Sequence, residues 1–173
     1  MEYLFFARTD CGRVRKNNED AVATAPEIGL ALLADGMGGY NAGEVASNMA
    51  ISITQHAMAR WFAHAGTTPT TSDVRKALQE SVQEANLAVL NTALQQPQCE
   101  GMGTTLVAAV FVQDRLVLGH MGDSRCYRLR DGQLQQITRD HSWLQEQMDA
   151  GLMTPEAAAQ SGNGNLVTRA LGG

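Results

Sequence analysis

The sequence predicts an α+β fold in which helices pack on antiparallel sheet. After residue 103 the apolar pattern changes to short segments separated by tight turns, which is typical of antiparallel strands rather than of β-α-β winding. Two long helical patterns come before these strands. A short apolar run at residues 30–35, too brief for a helix, comes earlier still. Helices inserted between groups of strands indicate layers of helix on sheet.

The second helix and the strand connections have clear local signals. Apolar residues recur every three or four positions from Val74 to Ala93, and Ser72 and Asp73 suit the first turn of a helix. Gln113-Asp114 is a tight connection, and Asp131-Gly132 is a strong hairpin signal. The predicted strands are residues 3–8, 30–35, 104–112, 115–121, 124–130, 133–138 and 166–171, and the two long helices are residues 43–64 and about 72–93.

The last part of the chain returns to helix. Residues 142–150 form a helical segment closed by Gly151, and Thr154-Pro155-Glu156 starts another, because proline suits the first helical position. Residues 161–165 are rich in Ser, Gly and Asn and predict a flexible loop.

Composition limits the class of protein. A length of 173 residues with 44% apolar and 18% charged residues suits one globular domain. The net charge of −5 argues against nucleic acid or an anionic membrane as a partner. Cys11, Cys99 and Cys126 are odd in number and far apart, so neither a disulfide framework nor a zinc site is expected. No apolar run approaches the roughly 20 residues of a membrane helix, and no basic leader precedes the first residues, so we expect a cytoplasmic protein.

Acidic residues stand at three turns beside small residues. Asp35 ends the apolar run and is followed by Gly36-Met37-Gly38-Gly39, Glu19 and Asp20 lie upstream, and Asp123 lies between Gly122 and Ser124. Carboxylates that converge without a cation would repel one another and have raised pKa values. Hard cations such as Mg²⁺ and Mn²⁺ prefer oxygen ligands, so these acids predict a metal site.

Two metal ions about 3.5–4 Å apart can share a water molecule and direct it at phosphorus. We expect Asp35 to bridge them, with the carbonyl of Gly36 exposed and unhindered beside it. Arg15 is close in sequence to Glu19 and Asp20, and its planar guanidinium matches phosphate oxygens. Each signal alone has a plainer interpretation, since Asp-Gly is usually a turn, Asn-Glu-Asp a solvated loop, and the basic residues around Arg15 an exposed cluster.

The order of motifs along the chain is more informative than any one of them. The motifs are Thr9-Asp10-x-Gly12-x-x-Arg15-x-x-Asn18-Glu19-Asp20, Ala34-Asp35-Gly36-Met37-Gly38-Gly39, Gly43-Glu44-Val45-Ala46-Ser47, Gly101-Met102-Gly103-Thr104-Thr105, Gly122-Asp123-Ser124-Arg125-Cys126-Tyr127, Thr138-Arg139-Asp140-His141-Ser142 and Val167-Thr168-Arg169-Ala170-Leu171-Gly172. In this order they resemble the bacterial type-2C metal-dependent Ser/Thr phosphatases, the PPM family.

The resemblance implies an α-β-β-α sandwich of two antiparallel sheets flanked by helices, with Mn²⁺ or Mg²⁺ between the sheets. It implies that residues 1–173 form the N-terminal part of one such domain and that residues 142–165 form a flap that influences substrate choice. In the site, Arg15 would bind the substrate phosphate and Asp35 would bridge two metal ions. The remaining implied metal ligands are Asp20, the carbonyl of Gly36, Asp123 at a third, weaker site, and Glu19 as a further candidate.

Two positions depart from the family pattern. Met37 stands where the eukaryotic branch has a histidine proposed as general acid; His141 is a candidate substitute, although a lone histidine after a strand is more often structural. The family also has two further metal-binding aspartates beyond the Arg-Ala-Leu-Gly motif, whereas no aspartate follows Asp149 here. We therefore expect either a fragment of a longer phosphatase or a natural chain with impaired activity.

The leading functional hypothesis is hydrolysis of phosphoserine and phosphothreonine in proteins by a metal-bound water, impaired in this chain. Its expected partners are phosphorylated proteins, targets of a bacterial eukaryotic-like Ser/Thr kinase, and exposed sheet edges predict self-association. One alternative is a non-catalytic module that binds phosphoproteins. Another is a metal hydrolase that acts on small phosphate esters.

Overall fold

The computed structural model describes residues 3–39, 42–66, 68–162 and 166–173. Its main sheet has the strand order β1-β2-β4-β5, formed by Asp20–Ala25, Leu30–Met37, Leu106–Val112 and Arg115–Met121. The short strand β3, Gly103–Thr104, pairs with the end of β2. All these pairs are antiparallel, as the sequence predicted.

Two long helices cover one face of this sheet. They are α1, Ala42–His64, and α2, Thr71–Gln95. Thr70 and Asp73 form a capping box at the start of α2, because the side chain of each accepts a hydrogen bond from the backbone N–H of the other. The buried core between helices and sheet contains Leu30, Leu32, Ala50, Ile51, Met58, Val74, Leu78, Leu106 and Val110.

The remaining elements follow the main sheet in the chain. Strands β6, Tyr127–Arg130, and β7, Gln133–Gln136, form a two-stranded antiparallel hairpin. Asp131 and Gly132 at its turn have φ of 51° and 74°, the left-handed backbone that the Asp-Gly signal predicts. Helices α3, Trp143–Asp149, and α4, Pro155–Gln160, come next, with Ser142 and Thr154 as their N-caps.

Several predicted boundaries were wrong. The strand predicted over residues 104–112 is interrupted at Thr105, and the one predicted from residue 124 begins at Tyr127. The strand predicted over residues 166–171 is reduced to isolated bridges at Val167 and Leu171. Strand β1 was not predicted, because its Ala-rich sequence lacks a strong β signal.

Residues 3–8 were also predicted as a strand but have no strand assignment. Tyr3 and Phe5 instead pack against Phe111 of β4, Tyr3 in a tilted and Phe5 in an edge-to-face arrangement, at ring-centroid distances of 4.7 and 6.0 Å. Their alternation reflects this side-chain packing rather than pairing in a ladder. The flexible loop predicted at residues 161–165 falls largely on residues 163–165, which lie outside the described residues.

Among the described residues, no helix combines the length and apolar character needed to cross a membrane.

Candidate metal and phosphate site

Asp20 and Asp35 are brought together by the register of the main sheet. They are directly opposed in the β1–β2 ladder, so their side chains lie on the same face, the one turned away from α1 and α2. The pKa of Asp35 is raised to about 6, first by burial and then by the charge of Asp20 and a hydrogen bond with the carboxyl group of Asp20. Asp20 and Asp35, two of the acids that the sequence predicted to converge, therefore lie together at this end of the sheet.

Asp123 and Arg15 lie close enough to act on the same carboxyl group. The charge of Asp123, in the turn after β5, adds to the raised pKa of Asp35, whereas the charge of Arg15 opposes it. Arg15 lies before β1, and 71% of its side chain is exposed. The structure thus places three of the sequence-predicted site residues, Asp20, Asp123 and Arg15, around the fourth, Asp35.

The start of α1 packs directly against the backbone of Gly36. A Cβ added at Gly36 would lie 1.9 Å from the carbonyl oxygen of Gly43, and one added at Gly43 would lie 2.8 Å from the carbonyl carbon of Gly36. Both glycines are buried, and the Gly36 N–H donates to the carbonyl of Glu19 at 3.0 Å. Gly36 as a residue is therefore buried under the start of α1, and the exposure of its carbonyl stays a prediction.

Glu19 contacts Arg15 and the start of α1. Its Oε2 lies 3.5 Å from Nη1 of Arg15, and its side chain is 18% exposed. Its Oε1 lies 2.7 Å from the position that a Cβ on Gly43 would take. A carboxylate at this place is favourable because the N-terminal end of a helix carries partial positive charge. Glu19 thus orients Arg15 while resting on the helix that packs against Gly36.

His141 lies on the far side of the turn that carries Asp123. The backbone N–H of Gly122 donates to His141 Nδ1 at 3.1 Å, and the His141 N–H donates to the Gly122 carbonyl at 2.8 Å. Burial lowers the pKa of His141, and the nearby charges of His120 and Arg169 lower it further. Since a backbone N–H can only donate, Nδ1 is unprotonated in this arrangement. The role of His141 as proton donor stays a prediction.

The fit of the site to hard cations follows from its oxygen donors. The opposed carboxylates of Asp20 and Asp35, one with a strongly raised pKa, favour a divalent cation that would neutralise both. Over the part of the chain that the structure describes, however, no group of three or more His, Cys, Asp and Glu side chains is arranged to hold one metal ion. Asp20 and Asp35 therefore suit a hard cation but supply only part of the ligands that it needs.

A cavity of about 600 Å³ adjoins the Asp123 turn. Asp123 and Arg125 form one side of it, and α3 and α4 contribute Leu144, Met148 and Pro155. Arg125 is held by Asp140, whose carboxylate accepts from its Nε at 2.9 Å and from its Nη2 at 2.6 Å. The cavity therefore joins the acidic turn to the segment that the sequence predicts as a flap.

Thr104 and Thr105 are site residues to which the sequence analysis gave no role. The hydroxyl of Thr104 donates to the carbonyl of Asp35 at 3.0 Å, and the hydroxyl of Thr105 accepts from the Asp35 N–H at 2.9 Å. The sequence signal that could have found them is a pair of adjacent threonines at the head of an apolar strand. The structure shows that both are fully buried. Such residues need hydrogen-bond partners, and here the partner is the backbone of a site aspartate.

The helix-on-sheet fold is that of a PPM-type phosphatase domain. A family model described as protein phosphatase 2C matches residues 9–160. The chain belongs to this family, and the resemblance in its motifs is confirmed.

The relatives with known functions are bacterial phosphatases. The chain is 43% identical over 169 residues to the serine/threonine protein phosphatase PstP of Mycobacterium tuberculosis, covering 98% of this chain and 31% of that protein. It is 37% identical over 168 residues to the serine/threonine phosphatase stp of Listeria innocua, covering 95% of this chain and 65% of that one. The chain thus spans about a third to two thirds of the length of these relatives.

Solved structures agree with the fold. The crystal structure of M. tuberculosis PstP matches with a TM-score of 0.83 and 43% identity, covering 95% of this chain and 66% of that chain. A structure of the PstP catalytic domain in complex with two manganese ions matches with a TM-score of 0.80 at the same 43% identity, covering 95% and 65% of the two chains. These matches confirm the predicted α+β class with antiparallel sheets and flanking helices.

Proposed function

We propose that the chain serves in the metal-dependent hydrolysis of phosphoserine and phosphothreonine in proteins, as a serine/threonine protein phosphatase. The observation that supports this most is the pairing of Asp20 with Asp35, within electrostatic reach of Arg15 and Asp123. A pure binding protein gains nothing from collecting carboxylates beside a phosphate site, because they repel the ligand. Carboxylates that bind cations next to an arginine suit phosphate-ester hydrolysis, because the cations and the arginine can both bind the charged phosphoryl group.

In this proposal the basic residue Arg15 binds the substrate phosphate, and the acidic residues bind the cations. Arg15, mostly exposed and oriented by Glu19, binds the phosphate of the substrate with its planar guanidinium. Asp35 bridges the two main cation positions, with Asp20 and the Gly36 carbonyl as further ligands. Asp123 contributes to a third, weaker position, and Glu19 serves Arg15 in addition to being a candidate ligand.

The cations that suit these oxygen donors are Mn²⁺ and Mg²⁺. The catalytic domain of the relative PstP has been solved with two manganese ions. When bound, such ions lower the pKa of coordinated water and neutralise charge on the phosphoryl group. The chain's own part is to hold the carboxylates at the sheet end and to keep the phosphate on Arg15.

We further propose that the 173-residue chain alone is impaired. The support is that, over the described residues, no three acidic or histidine side chains are grouped for one ion. Each missing charged ligand lowers metal affinity, so turnover at ordinary metal concentrations should be slow. To act as the predicted proton donor, His141 would have to become the imidazolium, which breaks the hydrogen bond from the Gly122 N–H because a protonated Nδ1 no longer accepts.

The second candidate function is a module that binds phosphoproteins without hydrolysing them. It is favoured by the same incomplete ligand set together with the high exposure of Arg15. The two functions differ in one measurable product, inorganic phosphate.

The experiment measures phosphate release from a phosphothreonine peptide, and Mn²⁺ binding by electron paramagnetic resonance, for the chain and for Asp35→Asn. Loss of a direct ligand should reduce both at least about 100-fold, since even supporting residues around a metal cost 10–100-fold. Asp114→Asn is the matched control, because Asp114 is exposed at the β4–β5 turn and should change neither readout. p-Nitrophenyl phosphate, run in parallel, tests the small-ester alternative.

Each outcome decides between the candidates. Mn²⁺-dependent phosphate release that Asp35→Asn removes supports the phosphatase, and rapid turnover would refute the proposed impairment. Binding of the same peptide is measured for the chain and for Arg15→Ala, and binding that this variant loses, without phosphate release, would favour the binding module. Hydrolysis unaffected by Asp35→Asn would overturn the proposed site.

Finer assignments complete the proposal. We assign phosphorylated proteins as substrates, opposed by a bacterial eukaryotic-like Ser/Thr kinase in cytoplasmic signalling; three free cysteines suit a reducing compartment. Residues 1–173 would act as one domain, with residues 142–165 as its flap. Self-association through the edge strands β1 and β5 is supported by Leu116 of β5, which is 40% exposed, and light scattering tests it.

A further inference from the structure

Thr105 lies between the two acid-bearing parts of the site. It separates β3 from β4 and is 1% exposed. Its backbone N–H donates to the carbonyl of Asp35 at 2.9 Å, and its hydroxyl accepts from the Asp35 N–H at 2.9 Å. Thr105 therefore makes hydrogen bonds to both the backbone N–H and the backbone carbonyl of Asp35.

On its other side, Thr105 contacts the turn that carries Asp123. Its Oγ1 lies 2.7 Å from Oγ of Ser124, the residue after Asp123. A Cβ added at Gly122 would lie 2.5 Å from Cγ2 of Thr105, so the methyl group of Thr105 fills the space beside that glycine. The carbonyl of Ser124 also lies 2.8 Å from Nε2 of His120, which fixes the turn from its far side.

The Thr105 hydroxyl takes part in two hydrogen bonds. The Asp35 N–H can only donate, so Thr105 Oγ1 is the acceptor there. Between Thr105 Oγ1 and Ser124 Oγ either hydroxyl can donate, because Oγ1 has both a free proton and a second lone pair. One hydroxyl thus joins the backbone of Asp35 to the turn of Asp123, a chain of two hydrogen bonds that a methyl group cannot replace.

We infer that Thr105 is a positioning residue that sets the separation between Asp35 and Asp123. It touches no reacting atom and acts through the two aspartates. The inference rests on the proposed function in so far as these aspartates hold metal ions.

The test compares Thr105→Val, which keeps the shape but loses the hydroxyl, with Thr105→Ser, which keeps the hydroxyl. Thr105→Val should weaken Mn²⁺ binding about 10-fold or more, the effect typical of residues that support metal ligands. Thr105→Ser should restore binding to within a few-fold of the original chain. Thr54→Val is the matched control, since Thr54 is a buried threonine in α1 whose Oγ1 has no hydrogen-bond partner among the described residues.

A second readout needs no metal. Amide hydrogen exchange of Asp35 and of residues 122–124 should accelerate in Thr105→Val and stay unchanged in Thr105→Ser and Thr54→Val, because only the first variant removes the hydroxyl link. If Thr105→Val does not fold, Ser124→Ala removes the same link from a half-buried position and should accelerate exchange across residues 122–124.

The two readouts separate the failure of this inference from the failure of the proposed function. Exchange and Mn²⁺ binding that are the same in Thr105→Val and Thr105→Ser would overturn the positioning role. A chain that shows the exchange effect but no Mn²⁺ binding and no Asp35-dependent hydrolysis would keep the positioning role and reject the metal site.

Discussion

The two acid-bearing parts of the site are built in different ways. Asp20 and Asp35 are placed by main-chain register, since they are direct partners in the β1–β2 ladder, and α1 supports them through contact between glycine backbones. Asp123 lies in a turn that side chains hold, through the hydroxyl of Thr105 and the imidazole of His141. Added volume at Gly36 meets main-chain atoms of α1, whereas added volume at Gly122 meets the side chain of Thr105, and the Asp123 turn depends in addition on particular polar atoms.

This difference separates the kinds of substitution that each region resists. A change of volume should damage the backbone-packed region most. A change of hydrogen-bonding chemistry at constant volume should damage the Asp123 region most. Three substitutions test the contrast, in order of decreasing effect on stability.

The largest effect is expected for Gly36→Ala. The new Cβ would meet the Gly43 carbonyl oxygen at 1.9 Å, so α1 would have to shift. The free energy of unfolding should fall by about 3 kcal/mol, the upper part of the usual cost of overpacking. Gly39→Ala is the matched control, because nothing lies within 4 Å of its added Cβ. Urea unfolding of both variants measures the difference, and equal stability would show that the helix does not press on this strand end.

A smaller effect is expected for Asp140→Asn, which keeps the volume but removes the charge that holds Arg125. Asp140 is 8% exposed, Arg125 is 49% exposed, and the carboxylate also accepts from Gln136 at 3.1 Å. Because only one partner is buried, we expect a loss of about 2 kcal/mol, between exposed and buried pairs. Asp114→Asn, in the exposed pair with Arg115, should change stability by less than about 0.5 kcal/mol. A loss no larger in Asp140→Asn than in this control would contradict a supporting role for the pair.

The same contrast explains what the sequence could predict. The long helices and the antiparallel strands from residue 103 to residue 136 follow from periodicity and turn residues, which are local signals. The convergence of Asp20 with Asp35 could be proposed from motif order, but its cause is the β1–β2 register, and β1 has too weak a pattern to be predicted. The short strand expected at residues 3–8 failed because its alternation served ring packing on Phe111.

Contacts between residues far apart in the chain could not be predicted from local sequence patterns. The interruption at Thr105 arises because its hydroxyl faces Asp35 and Ser124, far away in the chain, and no local pattern encodes that. The packing of α1, which begins several residues later, against the backbone of Gly36 is likewise not encoded in the local sequence. Both features concern tertiary packing, which overrides local preference.

The smallest effect concerns the pH dependence of stability at His141. Burial and the charges of His120 and Arg169 hold its pKa below the ordinary 6.5 in the folded protein, against opposing effects of Asp140 and Glu146. Between the folded pKa and 6.5 the unfolded chain therefore binds more protons, so this contribution to stability is complete above 6.5 and declines as the pH falls below it.

His141→Asn should weaken that decline, because asparagine does not titrate and its Oδ1 can still accept from the Gly122 N–H. Thermal unfolding at about pH 7.5 and about pH 5 measures the change, and the variant should lose less stability than the original chain. His56→Asn serves as control, since His56 is exposed on α1 and far from the site in sequence. Identical losses in the original chain and in His141→Asn would mean that burial and the charges of His120 and Arg169 do not hold the imidazole of His141 neutral in the folded protein.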